Sequence, residues 1–230
     1  MAKQQSIIPK SAFKFLETLT QNNNRDWFNA HKDEFLEQRA YIENFADLLL
    51  AELNSHDLIE TPSGNKSLYR IYRDTRFSTD KTPYKQWWSG SFKRATKQRR
   101  GGYYFHIEPG NNFVIGGFRN PNTADLKRIR EDISYDPIPL RQILNADTFI
   151  TTFGTLQGEQ LKTTPQGFAA DNEAIDLLRY KQFLLIKRFT DEQVLAPSFL
   201  DEANQAFKNM RPFFDYMSDI LSTDVNGNLL

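Results

Sequence analysis

The period of the hydrophobic pattern changes twice along this chain, and that limits its architecture more than any other feature. Phe13, Leu16 and Leu19 recur at helical spacing, as do Phe35, Ile42, Phe45, Leu49 and Leu53, which fall three, four or seven residues apart. From Leu68 to Phe118 the period becomes two, with strands predicted at Leu68–Arg73, Trp87–Phe92, Tyr103–Ile107 and Phe113–Phe118. After Pro121 the helical spacing returns through Leu126, Ile129 and Ile133, and later from Phe199 to Leu221, where Pro212 either kinks the helix or starts a new one. Gln182–Phe189 reads as one further strand. Helices, then antiparallel strands, then helices is an α+β order and not an alternating βαβ one. The expectation is a central, mainly antiparallel sheet of about five strands packed with N-terminal and C-terminal helices.

Local signals refine this outline. Ser11, Asn24, Asn122 or Thr123, and Asp171 are candidate helix caps, and Thr190 to Gln193 matches a capping box. Glu108-Pro109-Gly110-Asn111-Asn112 is a five-residue hairpin loop. Gly116-Gly117 inside a strand marks a bulge or a close backbone approach. The chain of 230 residues shows no internal repeat, low-complexity tract or long linker. It reads as a single domain over 1–230, helical at about 11–55, stranded at about 68–118 and helical again at about 122–222 with one or two further strands.

Composition excludes several kinds of chemistry. With no cysteine there is no disulfide, thiolate nucleophile or Cys-based metal site. The three histidines, His31, His56 and His106, have no helical ligand spacing, so no metal and no cofactor is expected. No Gly-rich loop ending in Lys-Ser/Thr and no Gly-x-Ser-x-Gly elbow is present. The N-terminus lacks an apolar leader, and no run approaches the roughly 20 apolar residues of a membrane span, so a cytoplasmic protein without a membrane partner is expected.

The charges are distributed unevenly. Lys+Arg and Asp+Glu both total 29, yet between Lys66 and Arg100 there are eleven Lys/Arg against two acids. That local excess of positive charge suggests an anionic partner. Lys93 to Arg100 reads as an exposed, solvated loop tip. Arg70 to Lys85 is more particular. On an extended strand Arg70, Tyr72, Asp74 and Arg76 share a face. Thr82-Pro83 reads as the cap and first residue of a helical turn. Lys81 and Lys85 beside a helix N-terminus are unfavourable unless an anion accompanies them.

At these residues the chain resembles a known family. Arg70-Ile71-Tyr72-Arg73-Asp74-x-Arg76-Phe77-Ser78-x-Asp80-Lys81-x-Pro83-Tyr84-Lys85 is similar to the signature of the domain of unknown function 2461 family. Asn23-x-Arg25-x-Trp27-Phe28 resembles its N-terminal element, and Gly102-Tyr103-Tyr104-x-His106-Ile107 with Gly116-Gly117 its central hairpin. Leu126-x-x-Ile129-Arg130 and Leu161-Lys162-x-x-Pro165-x-Gly167-Phe168 resemble later elements. Gln166 stands where a basic residue is usual and Phe118 where Trp is usual. The resemblance carries fold and site location, and no activity.

Three readings follow. In the first, Arg70, Arg73 and Arg76 clamp a phosphorylated or carboxylate small molecule, Lys81 and Lys85 neutralise it, Asp74 or Asp80 orients an arginine, and Lys162 adds a cation. Asp74, Tyr84 and His106 are the candidate proton carriers; His106 shares its strand face with Tyr104 and Glu108. In the second, the cluster is an internal ion-pair network in a structural or protein-interaction module. The third is nucleic-acid binding by segment 66–100, whose cations are interleaved with aromatic residues. Trp87-Trp88 and Tyr103-Tyr104 each point to opposite faces, so at most one of each pair is available for stacking.

Overall fold

A computed structural model describes residues 8–223 and 228–229. Four helices open the chain: α1 (Lys10–Gln21), α2 (Arg25–Ala30), α3 (Lys32–Leu53) and α4 (Gly64–Ser67). They precede β1 (Trp88–Lys93), β2 (Gly102–Ile107) and β3 (Asn112–Phe118). Then come α5 (Thr123–Tyr135), α6 (Ile138–Leu144), α7 (Asp147–Phe153) and α8 (Ile175–Leu178), followed by β4 (Phe183–Phe189). The last helices are α9 (Asp191–Val194), α10 (Phe199–Asn209) and α11 (Arg211–Ser222).

The fold is α+β, with an antiparallel sheet in the order β1-β2-β3-β4. Among the described residues it has four strands, not about five. The segment Leu68–Arg73 is no regular strand: Leu68 bridges Gly90 and Tyr72 bridges Tyr84, both antiparallel. Between those two bridges the pairing register shifts by two residues, which prevents a continuous ladder. The expected hairpin between β2 and β3 is present. In β2, Tyr103, Phe105 and Ile107 are buried on one face, while Tyr104 is half-buried on the other.

Capping follows the sequence in part. Asn24 accepts the Trp27 amide at 2.9 Å, Asn122 accepts the Asp125 amide at 2.9 Å, and Thr190 with Gln193 closes a full capping box. Ser11 is no cap: it lies inside α1 and donates to Gln38 at 2.7 Å. Nor is Asp171, since α8 begins at Ile175 and Asn172 accepts the Ala174 amide. Pro212 lies in the first turn of α11, where its missing N–H is harmless.

The chain divides into two compact units. One comprises the described residues up to Phe92, Tyr104–Val114 and Arg188–Gln205; the other comprises Lys93–Tyr103, Ile115–Lys187 and the described residues from Ala206 onward. In the first unit Phe15 stacks near Trp88 at 5.9 Å, and Phe45 meets Phe105 edge-on and Phe199 face-on. In the second, Tyr103 packs between Phe207 and Phe214, and Tyr216 donates to Asp132 at 2.8 Å.

The loop Lys93 to Arg100 belongs to the second unit and is not uniformly solvated. Arg94 is buried, donates to Asp215 at 2.6 Å and to the Arg100 carbonyl at 2.9 Å, and lies over the Phe214 ring. Arg100 pairs with Asp125. A buried guanidinium requires such partners, so two of the eleven cations of segment 66–100 act within the fold.

Candidate functional site

The signature segment forms an irregular hairpin whose arms are joined by three backbone bonds. The Tyr69 amide donates to Ser89 at 2.9 Å, the Arg73 amide to Pro83 at 2.9 Å and the Lys85 amide to Ile71 at 2.7 Å. Asn23 anchors one arm. Its side chain donates to the Tyr84 carbonyl at 2.9 Å and accepts the Tyr84 amide at 3.1 Å, as a neighbouring strand would. Phe28 stacks on Tyr84 at 4.0 Å. Tyr84 is therefore a buried anchor, and burial pushes its hydroxyl pKa up, an effect opposed by Arg25. That placement does not favour Tyr84 as a proton carrier.

Thr82-Pro83 starts no helix; both residues lie outside any helix or strand and lead into the Tyr84 bridge. Helix amides thus play no part at this site. Arg73 instead donates to Asp80 and to the Thr82 hydroxyl. Arg76 forks Asp74 through Nε at 2.9 Å and a terminal nitrogen at 2.6 Å, which holds the Asp74 carboxyl below its ordinary pKa. Lys81 donates to the Thr75 carbonyl at 2.8 Å.

Arg70 and Lys85 are placed differently. Lys85 donates to the Arg70 carbonyl at 2.7 Å and lies over the Tyr69 ring at 5.3 Å. Burial lowers its pKa, and the Arg70 charge lowers it further. Among the described residues, the exposed Arg70 side chain makes no hydrogen bond and neither cation has a carboxylate at ion-pair distance. Lys162 is exposed on the second unit.

On β2 a second arrangement appears. His106 Nε2 lies 2.9 Å from Glu108 and Nδ1 lies 3.1 Å from the Tyr104 hydroxyl. A carboxylate can only accept, so Nε2 carries the proton and Nδ1 accepts from Tyr104. Burial pulls the His106 pKa down, against the raising effect of Glu108. Phe113 stacks on the imidazole at 4.6 Å, and Trp87 covers it at 5.4 Å. Tyr104 meets Tyr69 at 6.0 Å, which joins this group to the Arg70–Lys85 pair within one unit.

The family model described as "Conserved hypothetical protein (DUF2461)" matches residues 11–216. The chain belongs to this family. No curated protein and no solved structure matches it. In this DUF2461 chain the two most distinctive motifs are parts of one object, since Asn23 and Phe28 of the first grip Tyr84 of the second. The site residues that sequence reasoning missed are Phe113 and Arg188. Alternation alone would have placed Phe113 on the His106 face, since the two stand beside each other across the β2–β3 hairpin. Nothing local signals Arg188, which arrives from β4. Among the described residues of this DUF2461 protein, no group of three or more His, Asp or Glu could hold a metal ion, and no helix is long and apolar enough to cross a membrane.

Proposed function

We propose that this protein binds a small anion, a phosphoryl or carboxylate group, at Arg70 and Lys85. The observation that carries this reading is the placement of two like charges side by side without a carboxylate at ion-pair distance among the described residues. Burial and the Arg70 charge raise the cost of keeping Lys85 charged, and an anion beside the two cations offsets that cost. Arg73 and Arg76 have a different role, because their carboxylate partners Asp80 and Asp74 come from the hairpin itself. A structural network and an anion site therefore divide the cluster between them, the first at Arg73 and Arg76 and the second at Arg70 and Lys85.

Thermal denaturation at low salt with inorganic phosphate and pyrophosphate tests this. An anion at 100 times its dissociation constant adds about 2.7 kcal/mol, about 5–10 °C in a chain of this size. Arg70→Ala and Lys85→Ala should abolish the shift while leaving the ligand-free midpoint within a few degrees. No shift, or one that survives both substitutions, overturns the proposal.

A further inference from the structure

Resting on that reading, we infer that the anion is the phosphate of a single-stranded nucleic acid whose bases stack across the half-exposed face of the sheet. The rings form a continuous row within one unit. Tyr69 is 52% exposed and meets Tyr104 at 6.0 Å, and Tyr104 meets Phe113 at 6.1 Å on the next strand. Trp87 and Phe113, which pack on His106, are themselves half-buried. Their neighbours Trp88 and Tyr103 point into the interior.

Cations stand at both ends of this row. Lys85 lies over Tyr69 with Arg70 beside it, and the exposed Arg188 lies over Phe113 at 5.8 Å. Glu108 accepts from His106 and from Asn111 at 2.7 Å and keeps its charge, so Arg70, Lys85 and Arg188 stand against this one carboxylate. Aromatic rings that accept any base, bracketed by backbone-binding cations, are the two components of sequence-tolerant single-strand recognition. A duplex hides its bases and cannot use the rings. A single small anion uses one end of the row and leaves the charge of Arg188, which donates to the neutral Asn111 side chain at 3.3 Å, unused at the other.

Fluorescence anisotropy with labelled dodecamers of deoxythymidine and of uridine at 50 mM salt, beside a duplex of the same length, tests this. The single strands should bind at least tenfold more tightly than the duplex. Tyr69→Ala and Arg188→Ala, both at exposed positions that the core does not need, should each weaken binding about tenfold, with far-UV circular dichroism unchanged. Tyr69→Phe should retain affinity, and Lys97→Ala, on the other unit, should leave it unaltered. The inference is overturned by absent single-strand binding, by equal binding of the duplex, or by affinity that ignores both Tyr69→Ala and Arg188→Ala. Pyrophosphate separates the two levels. A pyrophosphate shift without oligonucleotide binding removes this inference and keeps the small-anion site, whereas ring-dependent oligonucleotide binding without a pyrophosphate shift removes the small-anion reading.

Discussion

At Asp80 several donors converge on one carboxylate: the Arg73 guanidinium, the Thr82 amide at 2.9 Å and the Thr82 hydroxyl at 2.9 Å. The Thr82 amide contributes most, and together they pull the Asp80 pKa down to about 2. An unfolded aspartate titrates near 3.9, so the folded state favours the ionised form. A depressed folded pKa contributes stability that is present above the unfolded value and lost as pH falls through the folded one. Asp80→Asn should therefore be less stable than the parent at pH 5–7, and the gap should close between about pH 4 and pH 2. Urea midpoints of the two proteins at pH 6 and pH 2.5 measure this; a gap of equal size at both would refute it. The sequence offered Asp74 and Asp80 as acids that orient an arginine, without pairing Asp80 to Arg73. It could not say that Arg70 and Lys85 have no carboxylate at ion-pair distance among the described residues, because that depends on where every other carboxylate folds.

At the level of the elements, the pairing of β3 with β4 depends on Gly117. Its φ is +134°, and a Cβ there would collide with the Phe183 carbonyl oxygen. Gly110, in the β2–β3 loop, has φ +77° with open space around it. Gly110→Ala should cost only backbone strain, about 1–2 kcal/mol. Gly117→Ala adds a backbone collision to that strain and should cost more, about 3 kcal/mol or above, read from chemical denaturation. Equal losses at the two positions would show that the strand pair relaxes around the methyl. The Gly-Gly pair was legible as a bulge or a close approach because few strands tolerate it. The false fifth strand at Leu68–Arg73 was misread for a related reason. Alternation reports which side chains face which way and says nothing about register, and a two-residue shift between the Gly90 and Tyr84 bridges leaves the pattern intact. The helical reading of Thr82-Pro83 failed because a preference for the first helical turn is weaker than Asn23's two hydrogen bonds to the Tyr84 backbone, which hold that arm extended. Asn23 lies 61 residues away in sequence, beyond what any local pattern reports.

For the whole molecule, zero net charge means that attraction to a polyanion must come from a local patch rather than from the overall field. Read along the chain, segment 66–100 looks like one basic surface with eleven cations. The fold redistributes them. Arg94 turns inward to Asp215, Arg100 is taken by Asp125, and Arg73 and Arg76 are held by Asp80 and Asp74. The cations assigned to phosphate here are Arg70 and Lys85, joined by Arg188 from a part of the sequence that composition did not mark. The two accounts differ in a measurable quantity. Each phosphate neutralised on a single strand contributes a slope of about −0.7 to the logarithm of affinity against the logarithm of salt. Three contacts give a slope of about −2, a loss of about 15- to 20-fold between 50 and 200 mM, whereas engagement of all eleven cations gives a slope near −8. The shallow slope is expected, and Arg188→Ala should reduce it by about 0.7. A steep slope that ignores Arg188 would transfer recognition from the aromatic row to the basic segment as a whole.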